Sequence, residues 1–189
     1  VTKVNRTKKV SSIRTASASY KIAAGKKLNL SKELIIAPKN ATNKKVTYKI
    51  TKNNNKKWAV LNSKGILTTK KKGAGKTITV TIKAKDGSGK KRSVKITIMK
   101  NAVTKISFKK KTMSVKAGRT VKLKAIVNTN GRKANKKLAW SSSKTKYATV
   151  NSKGKVTTKK AGIGKTVKIT AKATDGTGRK ATIKIKIKK

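Results

Sequence analysis

The 189-residue chain has no cysteine and no histidine, one proline and three acidic residues. Without cysteine there is no disulfide and no thiol nucleophile; without histidine the commonest general base near neutral pH and most zinc sites are excluded too. The lack of cysteine is compatible with export. The acids, Glu33, Asp86 and Asp175, are too few for a calcium site, which takes about six to eight oxygens, or for paired-carboxylate hydrolysis. Aromatic residues make up 3% of the chain, too few for the successive stacking platforms used on single-stranded nucleic acid or carbohydrate. No apolar run approaches the roughly 18 residues of a membrane-spanning helix. The sequence opens on Val1 without a signal-like apolar segment, as expected of a piece of a longer protein with an upstream domain. Neither catalysis, cofactor nor metal is expected.

What the chain has is lysine. Lys and Arg total 55, for a formal charge of +52, and only Arg6, Arg14, Arg92, Arg119, Arg132 and Arg179 are arginine. With three acids to pair against, such a charge repels itself, so stability did not select it. Lysine presents a hydrated point charge, whereas arginine presents a fork that reads phosphate or base edges bidentately, so the balance favours diffuse attraction over specific readout. A surface that is merely soluble mixes both signs and needs only a few net charges. At 34% hydrophobic residues and a mean hydropathy of −0.60 the composition approaches that of disordered chains, but the apolar residues are regularly spaced.

That spacing repeats. The segment from Leu61 to Ile98 returns from Val150 to Ile187 at a constant offset of 89, and the residues around Gly25 return around Gly118 at an offset of 93, with Tyr20 answering Met113. The organisation read from this is a leader at 1–8, a first domain at 9–100 and a second at 101–189. Apolar and polar residues alternate, as in Val121, Leu123 and Ala125 against Lys122 and Lys124, or Ile183, Ile185 and Ile187 against Lys184, Lys186 and Lys188. That is the period of half-buried strands, and glycine-containing clusters separate the runs as in an antiparallel sandwich. The second unit is predicted to form strands near 103–108, 111–116, 119–128, 136–142, 147–150, 153–158, 164–173 and 179–188. Each domain should have seven or eight strands, with Leu123, Trp140, Ile169 and Ile185 in the second core.

In the second unit Trp140 to Ser143, Ala148 to Val150, Gly154 to Thr157 and Asp175 to Gly178 follow, in order, motifs of the bacterial immunoglobulin-like group 2 (Big2) domain, which this unit resembles along nearly its whole length. The first unit resembles it less closely. Tyr48 stands for the tryptophan, and three extra residues lie between Tyr48 and Trp58. The resemblance implies two tandem all-β, immunoglobulin-like sandwiches on a secreted or surface protein, as spacers, adhesion modules or appendages of extracellular enzymes. It supplies no catalytic residue.

Other motifs read as structure. Gly75-Lys76-Thr77 and Gly164-Lys165-Thr166 copy the end of a phosphate-binding loop, but Lys70 and Lys159 stand where its first glycine belongs and a strand follows. Asp86-Gly87-Ser88-Gly89 and Asp175-Gly176-Thr177-Gly178 read as hairpin turns. Trp140 and Tyr48 fall on the apolar phase of a strand, whereas Trp58 and Tyr147, nearer a loop, are candidates for stacking on a sugar. The final hairpin, with a turn centred near Thr177, should set Lys168 opposite Lys186 and Thr170 opposite Lys184, with Lys172 and Lys188 extending the same face. These residues, with Lys122 and Lys124, are the candidate polyanion-binding set. The expected partner is an anionic wall polymer such as teichoic acid of a Gram-positive bacterium, holding a monomeric module and its parent protein at the cell surface. The alternatives are an adhesin for anionic host glycans or an acidic protein, a passive spacer appended to an extracellular glycoside hydrolase, and nucleic-acid binding, which the scarcity of arginine disfavours.

Overall fold

The computed structural model describes residues 7–52 and 57–189; the leader up to Arg6 and most of the insertion before Trp58 lie outside the described residues. The chain divides between Lys100 and Asn101 into two compact units, and among the described residues there is no α-helix. The first unit contains β1 (Ser12–Thr15), β2 (Ser19–Ala23), β3 (Lys27–Asn29), β4 (Leu34–Ala37), β5 (Val46–Lys52), β6 (Ala59–Leu61), β7 (Ile66–Thr69), β8 (Thr77–Ala84) and β9 (Lys91–Met99). The second contains β10 (Val103–Ser107), β11 (Thr112–Lys116), β12 (Thr120–Lys122), β13 (Ile126–Thr129), β14 (Leu138–Ser142), β15 (Ala148–Val150), β16 (Lys155–Thr158), β17 (Thr166–Ala173) and β18 (Lys180–Lys188).

In each unit a four-stranded sheet, β2-β9-β8-β5 or β11-β18-β17-β14, faces a three-stranded one, β3-β7-β6 or β12-β16-β15, with the pairs β1-β4 and β10-β13 completing the layer structure. All strand pairings are antiparallel except β2 with β9 and β11 with β18, which are parallel. Each unit is therefore an immunoglobulin-like β-sandwich.

Among the described residues each unit has nine strands, more than the expected seven or eight, because one predicted strand, 119–128, is broken. β12 pairs with β16 whereas β13 pairs with β10, so the chain changes partners at Leu123–Ala125. Leu123 turns inward there and its N–H bonds the Gly154 carbonyl at 2.9 Å. The first unit breaks at the same place with a 3-10 turn, Leu30–Glu33, capped by the Asn29 side chain on the Ser31 N–H. Glu33 closes this turn.

Alternation buries one face of every long strand. Ile78, Val80 and Ile82 of β8 and Val94, Ile96 and Ile98 of β9 are fully buried, as are Val167, Ile169 and Ile185 in the second unit. Trp140 is only half-buried and lies at the junction of two core clusters. Its ring covers Gly154, where a Cβ would come within 2.7 Å of the indole; Tyr48 covers Gly65 in the same way. Cross-strand partners compensate in volume: Tyr48 stands opposite Ile82, and the larger Trp140 opposite Ala171.

The three acids are committed to holding the folds. Asp175 is completely buried and accepts the Val103 N–H at 2.7 Å, the Thr177 N–H at 3.0 Å and the Thr177 hydroxyl at 2.6 Å. The last hairpin thereby grips the first strand of its domain. Asp86 does the same for the Val10 and Ser88 N–H groups, and hydrogen bonding from Ser88 and Val10 holds its carboxyl at about 2. Lys8 joins this domain too, exchanging hydrogen bonds with Thr42. Glu33 accepts from the Tyr20 hydroxyl at 3.0 Å; burial, with this carboxylate adding to it, pushes the phenol up to about 12. Thr69 and Thr158, buried equivalents 89 residues apart, place their hydroxyls within 2.9 Å of two carbonyls each, those of Ala23 and Lys26 and those of Lys116 and Arg119.

Candidate polyanion-binding face

On β17 and β18 the residues pointing away from the core are Thr166, Lys168, Thr170 and Lys172, and Lys180, Thr182, Lys184, Lys186 and Lys188, with Thr166 opposite Lys186. Lys168 stands directly opposite Lys184, and Lys172 opposite Lys180; between them the Thr170 and Thr182 hydroxyls meet at 3.0 Å. β11 adds Lys116 beside Lys188 on the same outer face. Cross-strand neighbours lie about 5 Å apart and successive residues on one face about 7 Å. The outer face is thus a closely spaced lysine array on a rigid sheet.

The register and the membership of this face differ from the sequence expectation. Lys168 faces Lys184, not Lys186, and Thr170 faces Thr182, not Lys184. The hairpin centres on Gly176 rather than Thr177, because Asp175 folds the loop back on Thr177 and the Ala173 N–H closes it on the Arg179 carbonyl. Lys122 and Lys124 do not join the array. Lys122 ends β12 in the opposite sheet, opposite Lys155, and Lys124 lies in the break between β12 and β13. The structure adds Lys116 and Lys180, whose alternation on β11 and β18 would have revealed them.

The equivalent face of the first domain is diluted. Lys95 stands opposite Thr79, Ser93 opposite Thr81 and Thr97 opposite Thr77; only Lys83 and Lys91 form a lysine pair across β8 and β9.

The remaining candidates carry other work. Gly75 and Gly164 follow 3-10 turns and lead into β8 and β17, with N–H groups bonded to Ile98 and Ile187. Neither opens a helix, so neither is a phosphate loop. Trp58 and Tyr147 are half-buried and pack on their cores, with the Lys76 and Lys144 ammoniums 5.5 and 5.8 Å from the ring centroids. Among the described residues no group of three potential ligands is placed to hold a metal, and no helix is long and apolar enough to cross a membrane.

Residues 102–185 match the family model of the bacterial Ig-like domain (group 2). The second domain is a bacterial Ig-like domain of group 2. The first domain, which precedes it in the sequence, repeats its strand order, its parallel edge pair and its aromatic ring over glycine. No curated protein matches the chain. Among solved structures, domains 4 and 5 of the S-layer protein SbsC are similar at 15% identity and a TM-score of 0.39, over 96% of this chain and 100% of that one. A longer SbsC chain is similar at the same identity and score, and there the match spans 28% of its length. Mouse cadherin-23 EC22–24 is similar at 14% identity and a TM-score of 0.37, over 94% of this chain and 64% of that one. Ig-like domain families are generally non-catalytic.

Proposed function

We propose that the chain is a non-catalytic module of an extracellular bacterial protein, retained at the cell wall by electrostatic binding to anionic polymers such as teichoic acid. The observation that carries this reading is the lysine array on β17 and β18, where like charges stand opposite each other twice although like pairs destabilise a sheet. With the acids already engaged by backbone and hydroxyl groups, the array is left for an external anion. A polymer lying over it neutralises several lysines at once and releases condensed counterions, so many weak contacts sum to retention without specific recognition. The group 2 family relationship favours an extracellular or surface setting.

The test is retention of the full chain on purified Gram-positive wall as salt is raised, beside wall stripped of teichoic acid. Binding should fall with a logarithmic slope of roughly −0.7 per neutralised phosphate, the value for flexible single-stranded polyanions, and should collapse on stripped wall. Replacing Lys168, Lys184 and Lys186 together by Thr should weaken retention more than replacing Lys83, Lys91 and Lys95 by Thr. Salt-insensitive retention, or unchanged retention on stripped wall, would overturn the proposal. Equal losses for the two triple variants would assign binding to total charge rather than to this face.

A further inference from the structure

The break between β12 and β13 opens a cleft of about 440 Å³ in the second domain, within the range of about 300–1,000 Å³ common for small-molecule sites. Phe108, Met113, Leu123, Ile126 and Ile183 form its floor and contribute no polar side-chain group. Four exposed lysines also line it: Lys109 and Lys110 from the connection between β10 and β11, Lys122 and Lys124 from the broken strand. Ile126 is 43% exposed.

The first domain shows how the same place looks when closed. Tyr20 occupies the position of Met113, since Tyr20 pairs with Ile96 and Met113 with Ile185, the repeat equivalents on β9 and β18. Leu30 answers Leu123, both N–H groups bonding the carbonyl of the glycine under the aromatic ring. From Leu30 to Ile36, which pairs with Ile13, the first domain has two more residues than the second has from Leu123 to Val127, which pairs with Ile106; the longer connection folds as the 3-10 turn and brings Glu33 to the Tyr20 hydroxyl. The Ser17 N–H bonds the same hydroxyl, and the Ala16 N–H the Glu33 carbonyl. A tyrosine, a carboxylate and a folded loop thus cross the site in one domain. In the other, a methionine, a shorter connection and four lysines leave it open.

We propose that this cleft binds a medium-chain fatty acid, its acyl chain on the apolar floor and its carboxylate among the four lysines. The floor suits a chain without hydrogen-bonding groups. A peptide would bring backbone N–H and C=O groups that the floor side chains cannot satisfy. The lysines supply an anion site for the only polar end such a ligand has. Glu33 and the Tyr20 hydroxyl make the comparable contact internally in the first domain, where a carboxylate from the chain itself lies over the closed site. This inference is independent of the lysine array on β17 and β18.

The experiment uses the full chain labelled at its methionine methyls. The sequence holds two methionines, Met99 in the first domain and Met113 on the cleft floor. Decanoate, below its micelle concentration, should shift the Met113 resonance saturably and leave Met99 unmoved. Hexanoate should bind far more weakly, since each buried methylene is worth about fourfold, and neutral 1-decanol about tenfold more weakly than decanoate. Lys122→Gln with Lys124→Gln, both exposed positions, should erase the preference over 1-decanol. Met113→Tyr with Lys124→Glu, which restores the closed pattern, should abolish binding, read by tryptophan fluorescence because Phe108 lies 6.0 Å from Trp140. The triple Thr variant of the lysine array should bind decanoate normally. Equal shifts at both methionines, equal affinity for hexanoate and decanoate, or loss of binding in the array variant would reduce the interaction to counter-ion association and overturn the proposal. Tighter binding of an acidic leucine-containing peptide than of decanoate would overturn it in favour of a protein partner.

Discussion

Replacing Asp175 by Ala should unfold the second domain far more readily than any surface change, because this carboxylate joins the two ends of the domain. It takes hydrogen bonds from Val103, 72 residues away, and from both the N–H and the hydroxyl of Thr177. Hydrogen bonds to a charged group contribute about 1.5–3 kcal/mol each, and a buried N–H left without a partner costs about 1–3 kcal/mol. The contributions do not add fully, because Thr177 is partly exposed and its groups reach water once freed, whereas Val103 is buried. A loss of about 3 kcal/mol is expected, a large part of the roughly 5–13 kcal/mol available to a domain of this size. At about 4–8 °C per kcal/mol the melting point falls by roughly 12–24 °C. Asp175→Asn keeps one acceptor and should lose about half as much. The assay is thermal unfolding of the full chain by Trp140 fluorescence in a Trp58→Phe background, with amide exchange at Val103. A shift below about 3 °C, or unchanged protection of the Val103 amide, would refute the reasoning.

Gly154→Ala should cost about 2–4 kcal/mol, combining positive φ with the collision against Trp140; Gly178→Ala, with positive φ but open space around it, should cost only about 1 kcal/mol by denaturant midpoint. The Tyr20 phenol is held at about 12 when folded, above its ordinary value. Its contribution is therefore complete below about pH 10 and is lost between about pH 10 and 12, so Tyr20→Phe should flatten the alkaline decline of the Trp58 signal in that window. Asp86, held at about 2, contributes above about pH 4 and loses that contribution as the pH falls towards 2; Asp86→Asn should flatten the acid limb of the first domain's unfolding curve. Lys168→Thr should raise the second domain's stability by about 0.5 kcal/mol at low salt by relieving the pair with Lys184. The gain should vanish near 1 M salt, where screening acts within about 3 Å. Lys95→Thr, opposite a threonine, should gain less in calorimetry at matched salt.

Much of the fold is legible in the residues themselves. Alternation along β8, β9, β17 and β18 identifies the buried face, because a strand's side chains have period two. The 89-residue repeat identifies equivalent elements, and Asp-Gly-x-Gly marks the hairpins, whose glycines have positive φ. The candidate face was legible as a set of outward lysines, but its pairing was not. Alternation is unchanged when one strand slides by two residues, so it assigns Lys168 and Lys184 to one face without deciding which lysine stands opposite which. That choice belongs to the loop, where the Asp175 carboxylate meets Thr177.

The chain by itself determined that it forms strands, which side of each strand is wet, that two domains share one plan, and that their surface is cationic; these are consequences of local periodicity and composition. Tertiary structure alone decided which strands share a sheet, and so separated Lys122 and Lys124 from the lysine array. It also brought Asp175 to Val103 and opened in the second domain the cleft that Tyr20 and Glu33 close in the first. Those outcomes depend on contacts between residues distant along the chain and on a length difference of two residues at a strand break, neither of which has a periodic signature.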